Sequence, residues 1–317
     1  MSATIRDRAT GTSSTIRAQY LVACDGAHSH IRQALRVKTE GLGALNEHFT
    51  SMYFQADWGD LVRGHEADAF LIERPEVDGF LLISDEQRGL FSVTDVPKPG
   101  ETAPDYSVER CHGLVKEALG KPDLAVEILE IVPWQPMQQV AEQFQQGRVF
   151  LVGDAAHTMP PTLGGGAHSA ILSAQNLGWK LAAVLKGQAS PDLLLTYHVE
   201  RHPVGEFFSV QSLAGPALAL LRQGNKQTFL SPENKLPLFY PIAGYRYRSA
   251  AILSEDAAPA QPGKIEFLER PEFMGQPGSR VPHFWVEQQG RRISTLDLLD
   301  GGFVLLTGTG DSPDYTA

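Results

Sequence analysis

Apolar and polar residues alternate with a period of two along several short runs in the first half of the chain, a pattern typical of β-strands. In the run FTSMYFQADW, the alternation places Phe49, Ser51 and Tyr53 on one face and the residues between them on the other. One helical stretch, residues 107–120, interrupts these runs. We therefore predict a mainly antiparallel sheet within residues 38–140. Its other strands are predicted at DAFLIE, GFLLIS, GLFSVTDV and AVEILEIVPW.

A different succession of elements precedes this sheet region. ATIRDR and STIRAQYLVAC predict a hairpin that leads into a buried strand at residues 20–24. Asp25-Gly26 ends that strand, and the hydroxyl of Ser29 is placed to cap the short helix HIRQAL. The pattern thus predicts a strand, an acid-glycine turn and a helix.

A strand and a long helix are predicted after the sheet region. RVFLV is typical of a buried strand, and residues 167–187 predict a helix that ends at Gly187, where glycine readily takes the left-handed conformation. Almost all of this helix is apolar, which predicts burial on most sides. Its one narrow polar stripe consists of Ser169, Ser173, Asn176 and Lys180.

The last third of the chain has weaker patterns. SPDLLLTYHVERH predicts a second helix, which Pro203 is expected to kink or end. Residues 223–262 are rich in loop-forming residues, and the tail predicts a buried strand at residues 303–307. No internal repeat is present in the sequence.

Composition excludes several classes of protein. The 317 residues include 27 Lys and Arg against 37 Asp and Glu, and the net charge of −10 argues against a nucleic-acid surface. The two cysteines, Cys24 and Cys111, lie far apart, so neither a disulfide framework nor a zinc site is indicated. The longest nearly unbroken apolar run, LAGPALALL, is too short to span a bilayer. We expect a soluble, cytoplasmic protein.

Two acid-glycine pairs mark the candidate ligand site. Asp25-Gly26 and Gly153-Asp154 each follow a predicted buried strand, and ligands of parallel sheets collect where strands end. A carboxylate there accepts hydrogen bonds from ribose or ribityl hydroxyls, and the adjacent glycine lets the backbone approach the ligand. Each pair taken alone is equally compatible with an ordinary turn whose acid caps the next segment.

Three glycines precede the long helix. Gly164, Gly165 and Gly166 are followed by a first turn without a carboxylate, so its amide N–H groups are left for an anion or a polarised carbonyl. A flavin ring, which becomes negative at N1 and C2=O when reduced, meets this requirement, and so does a phosphate. The glycines are also compatible with a plain loop.

Three stretches resemble one family, the FAD-dependent aromatic hydroxylases, which are class A flavoprotein monooxygenases. Residues 147–204 look like the second flavin-binding motif of this family, and YLVACDGAHSHIRQAL looks like its Asp-Gly motif, which serves FAD and NAD(P)H. GQPGSRVPHFWVEQQGRRISTLDLLDGGFVLLTG is similar to the thioredoxin-like appendage of the phenol hydroxylase and polyketide hydroxylase branch. Their order and spacing agree with the family over nearly the whole chain.

The resemblance implies an α/β fold of mixed character, with a mainly antiparallel substrate sheet inserted into an incomplete, Rossmann-like FAD-binding domain. Residues 1–37 would form the first part of the FAD-binding domain, with the Asp-Gly motif, and residues 38–140 the substrate-binding sheet domain. Residues 141–235 would complete the FAD-binding domain with the Gly-Asp motif and the long helices. Residues 236–317 would form a linker and a partial thioredoxin-like domain.

The resemblance also implies roles for single residues. Asp154 would hold the ribityl chain, Pro160 and Pro161 would line the catalytic space at the flavin C4a edge, and Asp25 would lie near the pyrophosphate. Arg32 lies where the family has a basic residue, and no contact is assigned to it. The other cofactor-binding positions, where the backbone would approach FAD, are Gly26, Gly153, Gly164, Gly165, Gly166, Ala167 and His168.

The chemistry that the resemblance implies is hydroxylation of a phenolic or polyketide aromatic ring. NAD(P)H reduces FAD, O2 adds at C4a, and the hydroperoxide so formed transfers oxygen within a pocket that must be dry. The expected partners are a small aromatic substrate and O2, without nucleic acid or membrane; a homodimer is left open, and no general base is assigned. The pocket candidates, for which core packing is the alternative, are Tyr53, Phe80, Phe91 and Trp134.

Some features depart from the family. The G-x-G-x-x-G unit for the ADP half of FAD does not occur in the sequence, and the thioredoxin-like stretch stops after its first strand. We therefore expect a truncated chain that binds FAD weakly or not at all by itself. Leu163 stands where the family has glycine, and His168, Ala170 and Ser173 stand where it has Asn, Gly and Asp. The alternative is a catalytically silent relative that acts as a binding or complementing partner.

Two other chemistries are less favoured. His198 and His202 have a spacing that can bind metal, but no third ligand is evident, so we predict a solvated helix face and no metal. Flavin-dependent halogenases carry a W-x-W-x-I-P signature, and no W-x-W occurs in the sequence. Hydroxylation is therefore favoured over halogenation.

Overall fold

The computed structural model describes residues 1–45, 48–64, 67, 69–74, 77–95, 106–161, 164–213, 236–237, 239–253, 265–269, 274–299 and 301–305. The chain divides into two compact units, residues 1–236 and residues 237–317. The described strands of the first unit are β1 Ser2–Arg6, β2 Ser13–Arg17, β3 Leu21–Ala23, β4 Thr39–Ala44, β5 His48–Ala56, β6 Ala69–Glu73, β7 Asp78–Ile83, β8 Arg88–Asp95, β9 Val126–Trp134, β10 Met137–Ala141, β11 Gln145–Gln146, β12 Val149–Leu151 and β13 His157–Thr158. Its described helices are α1 His30–Ala34, α2 Gly59–Val62, α3 Val108–Leu119, α4 Gly165–Leu185 and α5 Thr196–Ser212, with 3-10 turns at Gly153–Ala155 and Pro191–Leu195.

The five-stranded sheet has the order β6-β7-β8-β5-β9 and is antiparallel throughout, which confirms the predicted sheet. One of its faces forms a hydrophobic core with α3, in which Phe54 and Phe91 pack with Val115. Helix α3 begins where the hydroxyl of Ser107 accepts the amide N–H of Arg110, and it ends at Gly120 in the left-handed conformation. These start and stop signals are readable from the sequence.

A second, smaller sheet has the order β11-β12-β3, in which β3 and β12 lie parallel. The whole antiparallel sheet and α3 are inserted in the chain between these two neighbours, as predicted. The core beside this sheet includes Phe144, Phe150 and Leu151 together with Leu177 of α4 and Tyr197 of α5. The inserted sheet and the parallel pair therefore have separate cores.

Strand β4 is not predicted by the sequence pattern. Its residues, TEGLGA, include two glycines and are mostly exposed, so no period-two alternation appears. It pairs with β10, which also pairs with β13. Strand pairing across the fold, rather than local pattern, makes this segment extended.

Helix α4 is correctly predicted, and Gly187 takes a positive φ of 70° after its end. The prediction that this helix is buried on most sides is wrong. Its buried face is the polar stripe together with Gly165 and Leu177, and Ile171 on another face is 68% exposed. The sequence showed two faces of the helix but did not show which one the neighbouring helix covers.

Helix α5 does not end at Pro203, which lies inside it. A proline within a helix costs about 3 kcal/mol. The burial of Tyr197, Val204 and Phe208 along the same helix outweighs that cost. Tertiary packing thus overrides the local stop signal.

The second unit contains short described elements. Strand β14 Tyr245–Arg246 pairs with β15 Glu266–Phe267, and β16 Trp285–Gln288 pairs with β17 Arg291–Ser294. The predicted strand at residues 303–307 is wrong over 303–305, where no strand forms and Phe303 is 96% exposed; residues 306–307 lie outside the described residues. Within the predicted loop region, 223–235 and 254–262 also lie outside them. The other described elements of this unit are α6 Phe239–Ile242 and a 3-10 turn at Thr295–Leu298.

Among the helices that the structure describes, none has the length and apolar character needed to cross a membrane.

Candidate functional site

The two acid-glycine pairs follow β3 and β12, which are parallel neighbours. The strands are in register, with Ala23 opposite Leu151, so both end at the same edge of the sheet. Gly26 has a φ of 80° and Gly153 a φ of 64°, a conformation in which side chains are strained. Both glycines are therefore needed to turn the chain at this edge.

Asp25 stabilises the start of α1. Its carboxylate accepts the hydroxyl of Ser29 at 2.6 Å and the amide N–H of Ile31 at 3.0 Å. Partial burial by itself would raise the pKa of Asp25, but these hydrogen bonds outweigh it and the pKa lies below its ordinary value. Within the described residues, this carboxylate has a clear structural role as a helix cap.

Arg32 joins the two turns. Its buried guanidinium donates from Nη1 to the carbonyl of Ala155 at 2.8 Å and from Nη2 to the carbonyl of Ala27 at 2.7 Å. One carbonyl belongs to the turn after β12 and the other to the turn after β3. No contact was predicted for Arg32 from the sequence, and the structure shows that this side chain bridges the two turns.

Asp154 differs from Asp25 in having no hydrogen-bond partner for its carboxylate among the described residues. The residue is exposed, yet partial burial of the carboxylate raises the pKa of Asp154 above its ordinary value. It faces a cavity of about 370 Å³. The other lining residues are Ala27, Trp134, Gln135, Pro136, Met137, Thr158, Met159 and Pro161.

Only one of the two prolines predicted at the flavin C4a edge lines this cavity. Pro161 lines it, whereas Pro160 is buried and does not. Thr158, also in the lining, has a buried hydroxyl oxygen without a hydrogen-bond partner in the described part of the chain. No sequence signal pointed to Thr158, because a single threonine has many ordinary explanations.

Among the described residues, no side chain caps the amino end of α4. Gly164 has a φ of 61° and provides no side-chain hydrogen bond, and no acidic residue lies in the first turn. Gly165 is required for another reason, because a Cβ there would lie 2.8 Å from Cδ1 of Phe208 and 3.4 Å from Sδ of the cavity residue Met159. Ala167 and His168 are exposed. Thr162 and Leu163, the position that departs from the family, lie outside the described residues.

An aromatic platform borders the same cavity. Trp134 stacks on Phe49 with ring centroids 4.5 Å apart and planes at 13°. Its indole N–H donates to Ser51 at 2.8 Å, and the Ser51 hydroxyl lies 2.6 Å from that of Ser92. This buried chain of hydrogen bonds fixes the plane of the indole ring.

The four predicted pocket residues do not share one surface. Tyr53 and Phe80 are half-buried and lie on the same sheet face as Trp134. Phe91 lies on the opposite face, fully buried in the core with α3, so we leave it out of the candidate site. Of the four, Trp134 alone lines the cavity beside Asp154.

The histidine pair on α5 has a structural environment. Nδ1 of His198 accepts the backbone N–H of Phe144 at 3.2 Å, and the rings of His198 and His202 are 4.9 Å apart. Burial lowers the pKa of both imidazoles. Over the described residues, no group of three His, Cys, Asp or Glu side chains is arranged to hold a metal ion.

Known proteins resemble this chain over most of its length. Residues 1–210 match the model of the family described as "FAD binding domain". The chain is 38% identical to a tetracenomycin B2 monooxygenase-dioxygenase of Streptomyces olivaceus, over 99% of this chain and 56% of the relative, and 37% identical to an aklavinone 12-hydroxylase of Streptomyces peucetius, over 96% and 61%. A crystal structure of aklavinone-11 hydroxylase with FAD and aklavinone superposes with a TM-score of 0.78 at 32% identity, covering 94% of this chain and 57% of that one.

The chain belongs to the FAD-binding domain family, whose cofactor is FAD. It spans about half the length of the curated relatives that it matches. The fold and family expected from the sequence are thereby confirmed, whereas the roles of single residues remain predictions.

Proposed function

We propose that this chain forms the flavin- and substrate-binding part of an FAD-dependent monooxygenase that hydroxylates an aromatic polyketide or phenolic ring. One observation carries the proposal: the carboxylate of Asp154, which has no partner among the described residues, and an oriented aromatic ring, Trp134, line one cavity. The first is suited to ribityl hydroxyls and the second to a flat aromatic substrate. Relatives named as a "putative polyketide hydroxylase" and as an aklavinone 12-hydroxylase support the substrate class.

The residues fit the isoalloxazine and ribityl part of FAD. Asp154 and the unpartnered hydroxyl of Thr158 supply polar groups for the ribityl chain. The uncapped amino end of α4, beside Met159, supplies amide N–H groups for the polar edge of the ring. Within this proposal, Arg32 holds the two turns at the spacing that the cofactor requires.

When bound, FAD supplies the redox chemistry, in which NAD(P)H and O2 are consumed and one oxygen atom enters the aromatic ring while the other leaves as water. The protein's contribution is to bind the cofactor and the substrate, to orient them, and to exclude water from the cavity. Met137, Met159 and Pro161 give the cavity an apolar lining, and Trp134 provides a fixed flat wall. We propose that the boundaries between the FAD-binding, substrate-binding and thioredoxin-like parts lie at 37/38, 140/141 and 235/236.

FAD titration of the 317-residue chain tests the cofactor site. Replacing Asp154 by Asn should weaken FAD binding roughly tenfold or more, because a charge-assisted hydrogen bond contributes about 1.5 to 3 kcal/mol. Asp57→Asn is the matched control, since Asp57 is exposed and lies outside this cavity. Equal affinities for both variants would contradict the assignment of Asp154.

Turnover tests the reaction. The FAD-loaded chain is given NADH or NADPH, ¹⁸O₂ and a panel of phenols and polycyclic aromatic polyketides, and products are analysed by mass spectrometry. The proposal expects a product that is heavier by one oxygen atom derived from O2. Consumption of the nicotinamide with hydrogen peroxide and no hydroxylated product across the panel would contradict it.

A further inference from the structure

Helix α4 buries polar side chains and exposes apolar ones. Ser169, Ser173, Asn176 and Lys180 are all buried, while Ile171 on another face is exposed. An amphipathic helix ordinarily packs with its apolar side inward. The polar stripe must therefore be explained by what it contacts.

The contacts lie on α5 and form two groups. Near the carboxyl end of α4, Glu200 accepts hydrogen bonds from Lys180 and Asn176, each at 2.6 Å. Near the amino end, Arg201 donates from Nε to the hydroxyl of Ser173 at 3.0 Å and from Nη2 to the carbonyl and hydroxyl of Ser169 at 3.1 and 3.2 Å. Arg201 is fully buried.

The second group continues to the loop that follows β12. The Ser169 hydroxyl lies 3.3 Å from Nε2 of His157, a residue that is 1% exposed. Burial, aided by the nearby charge of Arg201, lowers the pKa of His157 to about 3, so the imidazole is neutral. Ser169 thus connects α5 both to the first turns of α4 and to the segment that carries Asp154 and Pro161.

A gain in folding stability alone does not account well for the buried guanidinium of Arg201. Apolar residues of similar volume often stabilise an interface as well as a buried ionic group does, whereas buried polar groups fix one geometry. Ser169 is the fifth residue of α4, so its carbonyl lies about one turn from the uncapped amide N–H groups. A side chain that holds Ser169 holds the direction in which those amides point.

We propose that Arg201 is a positioning residue of the flavin site: through Ser169 and His157 it locks the amino end of α4 against the loop of residues 153–161. This inference rests on the proposed function, because it assumes that FAD lies at the amino end of α4. Arg201 itself touches neither cofactor nor substrate in this proposal.

Hydrogen exchange in the chain without FAD tests the lock directly. Amides 169–173 bond to the carbonyls of the first turns, so their exchange reports local opening there. Arg201→Gln and Ser169→Ala should each speed this exchange by at least roughly tenfold, equivalent to about 1.4 kcal/mol. Arg201→Lys should recover little, since one ammonium does not reproduce a planar fork of donors.

Lys180→Met is the control for a general loss of buried polar contacts. Lys180 lies about 16 Å farther along the helix than Ser169, at 1.5 Å per residue. This variant should lower the thermal unfolding temperature yet leave exchange at 169–173 and the affinity for FAD within about threefold of wild type. Arg201→Gln should weaken FAD binding by at least roughly tenfold and shift the visible spectrum of the bound flavin.

The outcomes separate the two proposals. If the Arg201 and Ser169 variants change exchange at 169–173 no more than Lys180→Met does, the positioning role is wrong, whatever FAD does. If FAD at a concentration that saturates the wild-type chain protects no amide within 164–173, the proposed cofactor site is wrong, while the exchange comparison still decides whether Arg201 locks the helix. Should Arg201→Gln fail to fold, Ser169→Ala alone decides the matter, because it removes only a hydroxyl.

Discussion

The antiparallel sheet and the pair α4–α5 are packed by opposite means. The sheet face under α3 is an apolar core that includes Phe54, Phe91 and Val115. The interface between α4 and α5 buries Lys180 and Arg201 with their polar partners. An apolar core gives stability without strict geometry, whereas a hydrogen-bonded polar network favours one arrangement. The network lies beside the candidate flavin site, where the direction of the α4 amide N–H groups determines how they can bind the cofactor.

The largest effect should come from the apolar core. Phe54→Ala is expected to lower the free energy of unfolding by about 3 to 5 kcal/mol, because it removes a fully buried ring and leaves a cavity. Phe80→Ala on the other sheet face, where the ring is half-buried, should cost much less. Urea denaturation of both variants measures the difference, and equal losses would show that the two faces are packed alike.

Two adjacent glycines at the start of α4 test how tightly α4 and α5 are packed. Gly165→Ala should destabilise by about 1 to 3 kcal/mol through overpacking, because its Cβ would lie 2.8 Å from Cδ1 of Phe208. Gly166→Ala meets nothing closer than 3.8 Å and should be neutral or stabilising by up to about 1 kcal/mol. Thermal and urea unfolding test the pair. A neutral Gly165→Ala would mean that α4 and α5 pack loosely at this point.

The polar interface should also make stability depend on pH. His157 has a pKa of about 3 when folded against an ordinary value of 6.5, so the unfolded chain binds more protons between these values. Stability should therefore be fully present above pH 6.5 and fall as the pH drops towards 3, losing about 1 kcal/mol between pH 6 and pH 5 from this residue. His157→Gln should flatten this slope in urea titrations at successive pH values. An unchanged slope would remove His157 as its cause.

The smallest effects on stability should distinguish the two acids of the site. Asp25→Asn weakens the cap of α1 and should cost about 1 kcal/mol. Asp154→Asn should change the free energy of unfolding by less than about 0.5 kcal/mol, because its carboxylate bonds to nothing in the described residues. Chemical denaturation without FAD provides the test. A larger loss for Asp154→Asn would indicate a structural role for that carboxylate.

Much of the fold was predictable because its signals are local. Period-two alternation marked the antiparallel sheet, and Ser29 and Gly187 marked helix boundaries. β4 was missed because pairing partners, rather than its own residues, make it extended. Pro203 does not end α5, because the burial of that helix compensates for a lost hydrogen bond.

The candidate site was predictable in part. Both acid-glycine turns and the glycine-rich start of α4 were readable, since turn chemistry depends on the residue itself. Neither the contacts of Arg32 nor the place of Met159 and Thr158 in the cavity was readable, because these depend on residues distant in the chain. Phe91 and Phe80 have the same residue type, and only strand register assigned them to opposite faces.

The sequence by itself determined the order of the elements, the positions of the two turns, and the family to which the chain belongs. Only the tertiary structure decided which face of α4 is buried, since a stripe of serines and a lysine reads as solvent-facing until Glu200 and Arg201 are placed opposite it. Local backbone preferences act over a few residues and are written in each segment. The environment of a side chain is set by segments far apart in the chain, and no single segment encodes it.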